Sequence, residues 1–351
     1  MVGVDLKVLE DFGIRKIKNY YHLFEKSPKS HYTTVYALFT SPYLYFLTSI
    51  AFLIGFSLTV PIIWLELQFD IFNLDTVEFG KIAIYLFVLI VLVTLEFYLL
   101  FILGFYTIAY YIYHLKHIEE IESQHLKQTE FLALFARVVM ELPEHDTPKH
   151  TIEYHQLSNI NIATFTVVYK LKVVVSNFFL KFIMKRILVK SSFRVYTPYI
   201  ATLGTGLWDA IVFYKTIKHS QYKVMVRYTI DYLLLHKKAL LLKDVNIRAI
   251  LNRYYYYGEY SNNLDYLLNQ LLQSTNRHFE EESYIDIHVT QTCHHQLLLL
   301  IYAFKEKLHT KKERQIIKSI NTNKTIERVR EALKSGNTKK IREFIDHLPS
   351  N

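Results

Sequence analysis

From Ser30 to Leu65 the chain carries no Asp, Glu, Lys or Arg, and from Ile82 to Leu115 it carries one, Glu96. Two charge-poor apolar runs in succession constrain the fold more than any other feature. About 20 residues of helix, rising about 1.5 Å each, cross the roughly 30 Å hydrocarbon core of a bilayer. The apolar part of the first run, about Tyr43 to Trp64, meets that length, and Pro42 stands where a first-turn proline is tolerated. The second run is longer than one crossing requires, so it is expected to tilt or to continue beyond the membrane. Tyr43, Tyr45 and Trp64 bracket the first helix, and Tyr106, Tyr110, Tyr111 and Tyr113 mark the inner end of the second, as interfacial aromatics do. The alternative is a pair of buried helices in a water-soluble domain. It is disfavoured because two such runs are hard to bury in a domain this size. A cleavable signal peptide is also disfavoured, since the apolar stretch begins late and runs long.

Orientation follows from the flanking cations. Residues 1–42 carry Lys7, Arg15, Lys16, Lys18, Lys26 and Lys29. The connecting loop, 66–81, carries only Lys81 against Glu66, Asp70, Asp75 and Glu78, and Lys116 and Lys127 follow the second helix. The positive-inside rule then places both termini in the cytoplasm and the short acidic loop outside, in a cell (inner) membrane.

Bulk composition agrees with such a chain. Of 351 residues 51% are hydrophobic, and the mean hydropathy is +0.11. Nine glycines and seven prolines are few for this length and predict long helices with few turns. The net charge of +9 suits an anionic membrane surface, a nucleic acid or only a solvated face. Cys293 is the only cysteine, so no internal disulfide can form.

The reading is therefore an all-α chain in three parts: a basic cytoplasmic segment over 1–42, a transmembrane hairpin over 43–114 (helices at about 43–65 and 82–114) and a helical cytoplasmic domain over 115–351. Within the last part, helical periodicity predicts a helix from His117 to Glu141, broken by Pro143 and Pro148. One or two helices are expected over Arg227–Tyr257, another over Asn263–Ser274, and one with an apolar heart over His295–Lys312. A helical hairpin is expected at the end: Thr325–Lys334, a stop at Gly336, then Thr338–His347. Residues 154–208 contain no acid but carry Lys170, Lys172, Lys181, Lys185, Arg186, Lys190 and Arg194 among many Val, Ile, Phe and Leu. Such a segment suits the anionic inner leaflet, where each cation contributes roughly 1 kcal/mol. On a helical wheel, however, Lys170, Lys181 and Lys185 oppose Lys172, Arg186 and Lys190, so a core helix with a basic edge competes with a lipid-surface helix. Alternation over 163–175 would also suit a strand; helix is favoured. Val195–Trp208, with Pro198, Gly204 and Gly206, reads as too short to span and too broken for a long helix; a buried connection between helices is favoured over a re-entrant or surface-seated loop.

Candidate chemistry is sparse. Glu96 near mid-membrane is costly unless neutral, paired or wetted. Thr48 and Ser49 of the first helix are expected at its depth. Glu96 then serves either helix packing and assembly or a proton relay or pore lining. His145, Asp146, His150, Glu153 and His155 are metal-ligand types on one proline-bounded stretch, but their spacing matches no strong zinc motif, and a solvated polar loop is the simpler reading. Cys293 beside His294 and His295 lacks a base facing it across the fold. The Arg253–Tyr257 run lacks a surrounding nucleic-acid fold, and no nucleic-acid partner is expected. The chain has no Gly-Lys-Ser/Thr loop, no Gly-x-Gly-x-x-Gly and no Gly-x-Ser-x-Gly. No cofactor is expected, and the balance leans away from an enzyme. The expected role is a membrane-anchored module that binds anionic inner-leaflet lipid or a protein partner. The alternatives are a homo-oligomeric channel or permeability effector using Glu96, with Gly55, Ser57 and Gly104 allowing close helix approach, and a membrane-tethered metal-dependent enzyme.

Overall fold

The computed structural model describes residues 6–26, 32–69, 79–118, 129–140, 197–243, 262–275, 295–304, 315, 318 and 324–348. Among these residues the regular elements are all α-helices and no strand occurs. In chain order they are α1 (Leu6–Glu25), α2 (Val35–Phe39), α3 (Tyr43–Phe69), α4 (Phe79–Lys116), α5 (Thr129–Val139), α6 (Thr197–Lys243), α7 (Asn262–Thr275), α8 (His295–Phe304), α9 (Thr325–Ser335) and α10 (Thr338–Asp346). The region 163–175, where helix and strand competed, lies outside the described residues.

Helices α3 and α4 are long and apolar enough to cross a membrane. They run antiparallel, because polar contacts join them at both ends. The Tyr43 hydroxyl donates to the Tyr106 oxygen at 3.2 Å, and the Tyr85 hydroxyl donates to Glu66 Oε1 at 2.6 Å. The first contact defines a tyrosine end and the second a loop end. At the tyrosine end α1 lies on α4, with Phe12 edge-on to Phe105 and Phe24 edge-on to Tyr110. Gly13 permits this approach, since a Cβ there would stand 2.6 Å from Ala136 Cβ and 3.1 Å from the Phe105 ring. Helix α5 docks on α1 through Arg137, whose Nε donates to Glu10 Oε2 at 2.7 Å.

Helix α6 is the longest element. Of its 47 residues, the unbroken helical run from Thr197 to His236 extends about 60 Å at 1.5 Å each. It packs antiparallel to α3: Lys218 Nζ donates to the Phe39 carbonyl at 3.0 Å, Tyr214 stacks on Tyr45 at 6.1 Å, and Gly206 lies against Phe52. Its first part therefore lies along α3. The rest projects past the tyrosine end, with a non-helical backbone at Lys237. Around that projection gather α7 to α10. Helix α8 is buried from Leu297 to Phe304, in an apolar core continuous with that of the other helices. A helix's last carbonyls lack intrahelical donors, and burial makes the deficit costly. Side chains supply them here: Tyr222 to Ala303, Asn263 Nδ2 to Phe304 at 3.0 Å, and Arg330 Nη2 to Tyr302 at 3.4 Å.

The segment 195–208 differs from expectation. Residues 197–208 are not a connection but the first turns of α6, and Leu203, Leu207 and Trp208 are exposed rather than buried. Pro198 falls in the first helical turn, where its missing N–H costs nothing. Gly206 serves packing: a Cβ there would lie 2.8 Å from the Phe52 carbonyl oxygen. Small residues that would break a helix in water here let two backbones touch.

Exposure is concentrated. Of the 21 large hydrophobic side chains exposed among the described residues, thirteen lie on α3 and α4 and four on the first part of α6. The α9–α10 hairpin also reaches the tyrosine end, where Gly336, between α9 and α10, packs on Phe39 and Val35. Gly336 has φ +71°, a left-handed cap that ends α9, and Asn337 then caps α10 by accepting from the Lys340 N–H at 3.0 Å. A Cβ at Gly336 would stand 2.8 Å from Phe39 and 2.9 Å from Val35. Gly336→Ala should therefore lower stability by about 1–3 kcal/mol, from backbone strain and displaced Phe39. Thermal unfolding of the purified variant reads this directly, and an unchanged midpoint would contradict it.

Candidate functional site

Among the described residues, the polar side chains buried inside the α3–α4–α6 bundle are its chemically distinctive feature. Glu96 of α4 and Asp209 of α6 are 6% and 5% exposed, close to full burial for carboxylates. The contacts at the two ends set where Glu96 lies along α3. Residue 96 is about halfway between Tyr85 and Tyr106, so it falls opposite the level halfway between Glu66 and Tyr43, which is Gly55. Asp209 reaches the same residue from the other side: a Cβ on Gly55 would stand 1.9 Å from Asp209 Oδ2. Gly55 is glycine because the aspartate side chain occupies its Cβ space. The Gly55 carbonyl accepts a hydrogen bond from the buried Thr59 hydroxyl at 2.7 Å. Thr202 and Thr205 are buried on the same face of α6. Both carboxylates are engaged by neighbouring groups.

The residues expected to accompany Glu96 are elsewhere. The Thr48 hydroxyl donates to the Leu44 carbonyl at 2.8 Å and the Ser49 hydroxyl to the Tyr45 carbonyl at 3.0 Å, both within α3. Hydroxyls in apolar helices commonly satisfy themselves in this way. Thr48 and Ser49 lie nearer the tyrosine end than the level of Gly55. Of the small residues expected to allow helix approach, Gly55 receives Asp209, Gly104 receives Val139 of α5, whose Cγ1 would be 2.6 Å from a Cβ, and Ser57 is exposed.

The tyrosines read as interfacial markers form a clasp. Phe24 packs on Tyr106, Tyr110 and Tyr113, Tyr43 lies 4.1 Å from Tyr110, and the Tyr32 and Tyr110 hydroxyls are 3.0 Å apart. Each aromatic pair adds about 0.5–1.5 kcal/mol beyond buried area, so the clasp holds α1 and the approach to α3 onto α4. Outside the bundle, Arg227 lies 3.8 Å over the Tyr266 ring, and the Tyr266 hydroxyl donates to Asp231 at 2.7 Å. Burial, aided by that carboxylate, raises the Tyr266 phenol above its ordinary range. Burial likewise lowers the Lys218 ammonium. A cavity lined by Phe39, Tyr111, Phe135 and Gln221 has room for no more than a water molecule.

Lys170, Lys172, Lys181, Lys185, Arg186, Lys190 and Arg194 lie outside the described residues, as do His145, Asp146, His150, Glu153 and His155, Cys293 and the Arg253–Tyr257 run. Among the described residues no group of three or more His, Cys, Asp and Glu is placed to hold a metal ion. Asp209, Thr202, Thr205 and Gly206 were not singled out as a packing face. Their signal was available: 202 and 206, and 205 and 209, are spaced four apart, which puts small and polar residues on one stripe of a helix.

No protein family matches this chain, and no curated protein or solved structure is significantly similar to it. The geometry alone speaks. It describes a mid-bundle polar contact between Gly55 and Asp209, with Glu96 at the same level. Gly55→Ala should cost about 1–3 kcal/mol by overpacking. In a double-mutant cycle, adding Asp209→Ala should recover much of that loss, because the obstructing carboxylate is gone. Strictly additive effects in thermal unfolding would contradict the contact.

Proposed function

We propose that the chain is an integral membrane protein held in the bilayer by α3 and α4, whose helical domain acts through contacts with lipid or a protein partner. The supporting observation is the exposure of α3 and α4. Phe87 and Ile90 of α4 are 68% and 65% exposed, and eleven further large apolar side chains of the two helices are exposed with them. Each would forgo on the order of 1 kcal/mol or more in water. A belt of that size would cost as much as the roughly 5–15 kcal/mol that holds a whole domain together. In hydrocarbon the same side chains cost nothing. Core helices of a soluble protein would turn these faces inward.

The clustering of α1 and of the α9–α10 hairpin at the tyrosine end supports a topology with both termini on one side. The cation bias of residues 1–42 assigns that side to the cytoplasm and the acidic 66–81 loop to the outside. Anionic lipid headgroups are the proposed partner of the basic residues between Lys170 and Arg194. Anchoring is favoured over an oligomeric channel by the monomer itself. Gly55 and Gly104 are occupied by the chain's own Asp209 and Val139, and Glu96 is buried inside one copy.

Two measurements bear on this reading. In a Cys293→Ser background, a membrane-impermeant maleimide applied to intact cells should label Asp75→Cys and leave Val8→Cys unlabelled until lysis. Labelling of Val8→Cys in intact cells, or release of the protein by alkaline carbonate, would contradict it. The mass of the detergent-solubilised complex should be that of one or two copies. Four or more copies, with a conductance abolished by Glu96→Gln, would favour the channel instead.

A further inference from the structure

We propose that the first part of α6, residues 197–214, is a third helix embedded in the hydrocarbon core beside α3, with its outer face against lipid acyl chains. The proposal rests on α3 spanning the bilayer. Three observations carry it.

The first is depth. Gly206 and Asp209 contact Phe52 and Gly55, near the middle of α3 between Tyr43 and Glu66. Tyr214 stacks on Tyr45, close to the tyrosine end. Since α6 runs antiparallel to α3, its start at Thr197 lies about 13 Å beyond Gly206 toward the loop end. Residues 197–214 thus cover about 26 Å of a roughly 30 Å hydrocarbon core. If α3 is in the bilayer, this stretch has nowhere else to be.

The second is polarity. Thr202, Thr205 and Asp209 are buried against the bundle, whereas Leu203, Leu207, Trp208 and Ile211 are exposed, at 40–55%. A helix on a water-soluble core has the opposite arrangement, with leucine inside and aspartate outside. Small and polar residues inside with large apolar residues outside is the pattern of a helix in lipid. An intramembrane carboxylate must be shielded from hydrocarbon, and Asp209 is, in the space left by Gly55.

The third is continuity. The exposed face of α6 adjoins that of α3 through the Tyr45–Tyr214 stack, so one apolar surface extends over both. The occupant that covers both faces is the bilayer interior. Helix α5 finishes at the tyrosine end, where Val139 packs on Gly104, whereas α6 begins toward the loop end. A two-span hairpin followed by a domain wholly outside the membrane does not have this arrangement.

The chain's tryptophans make the test direct, since Trp64 and Trp208 are the only two. Trp64→Phe leaves Trp208 as the sole emitter, and Trp208→Phe leaves Trp64. Each full-length variant is reconstituted in phosphatidylcholine vesicles with bromine on the acyl chains, and in unbrominated vesicles with iodide in the buffer. Loss of Trp208 emission in the brominated vesicles, with protection from iodide, is the expected result. If Trp64 is quenched by brominated lipid but Trp208 is not, and iodide reaches Trp208, the third helix is overturned and α3 remains in the membrane. If Trp208 escapes both quenchers, another copy or another part of the chain covers it, and the lipid-facing assignment is overturned. If neither tryptophan is quenched by brominated lipid, the membrane reading itself fails.

Discussion

The close crossing of α3 and α6 determines how the rest of the molecule is arranged. Gly206 brings the α6 backbone onto the Phe52 carbonyl, and Gly55 makes room for Asp209 in return. Without those two glycines the helices would stand apart by a side chain and the Asp209 carboxylate would be pushed outward. With them, α6 is held along α3, and its second half is aimed past the tyrosine end, where Tyr222 and Tyr232 reach α8 and α10. One continuous helix thus connects the apolar bundle to the core built on α8.

The two halves of the molecule are stabilised by different physics. Around α8 the logic is that of a soluble domain: Leu297 to Phe304 are buried, and the buried carbonyls at its end are met by Tyr222, Asn263 and Arg330. In the α3–α4–α6 bundle many large apolar side chains face outward, while glycine, threonine and two carboxylates are buried inside beside Leu44, Leu47, Ile62 and Phe213. On the proposed membrane reading, hydrophobic burial contributes little to such a bundle, because the surrounding hydrocarbon is as apolar as its interior. Close van der Waals approach and a few interior polar contacts must then hold it together. The tyrosine clasp closes the boundary between the two regimes, pinning α1 and the start of α3 to α4 where both halves meet.

Much of this was legible in the residues. The absence of charge over 30–65 and near-absence over 82–115 marked α3 and α4. Gly336 between two amphipathic runs marked the terminal hairpin, and the long apolar run from Leu297 marked α8. What was misjudged was the stretch before Asp209. Pro198, Gly204 and Gly206 were weighed as breakers, by rules that hold where water competes for the backbone. Placed against another helix in an apolar bundle, the same residues favour close contact. Thr48 and Ser49 were set opposite Glu96 by assuming an idealised hairpin. The true register depends on the pairing of Tyr43 with Tyr106 and of Tyr85 with Glu66, contacts more than sixty and nearly twenty residues apart in sequence that no local pattern reveals.

Crosslinking within one chain measures the α3–α6 crossing most directly. In a Cys293→Ser background, Tyr45→Cys with Tyr214→Cys should be joined by a short thiol-specific crosslinker in native membranes, giving a faster-migrating monomer. Tyr45→Cys with Leu235→Cys, beyond the tyrosine end, should not. Crosslinking of the distal pair with none between Tyr45→Cys and Tyr214→Cys would contradict the antiparallel placement of α6 on α3.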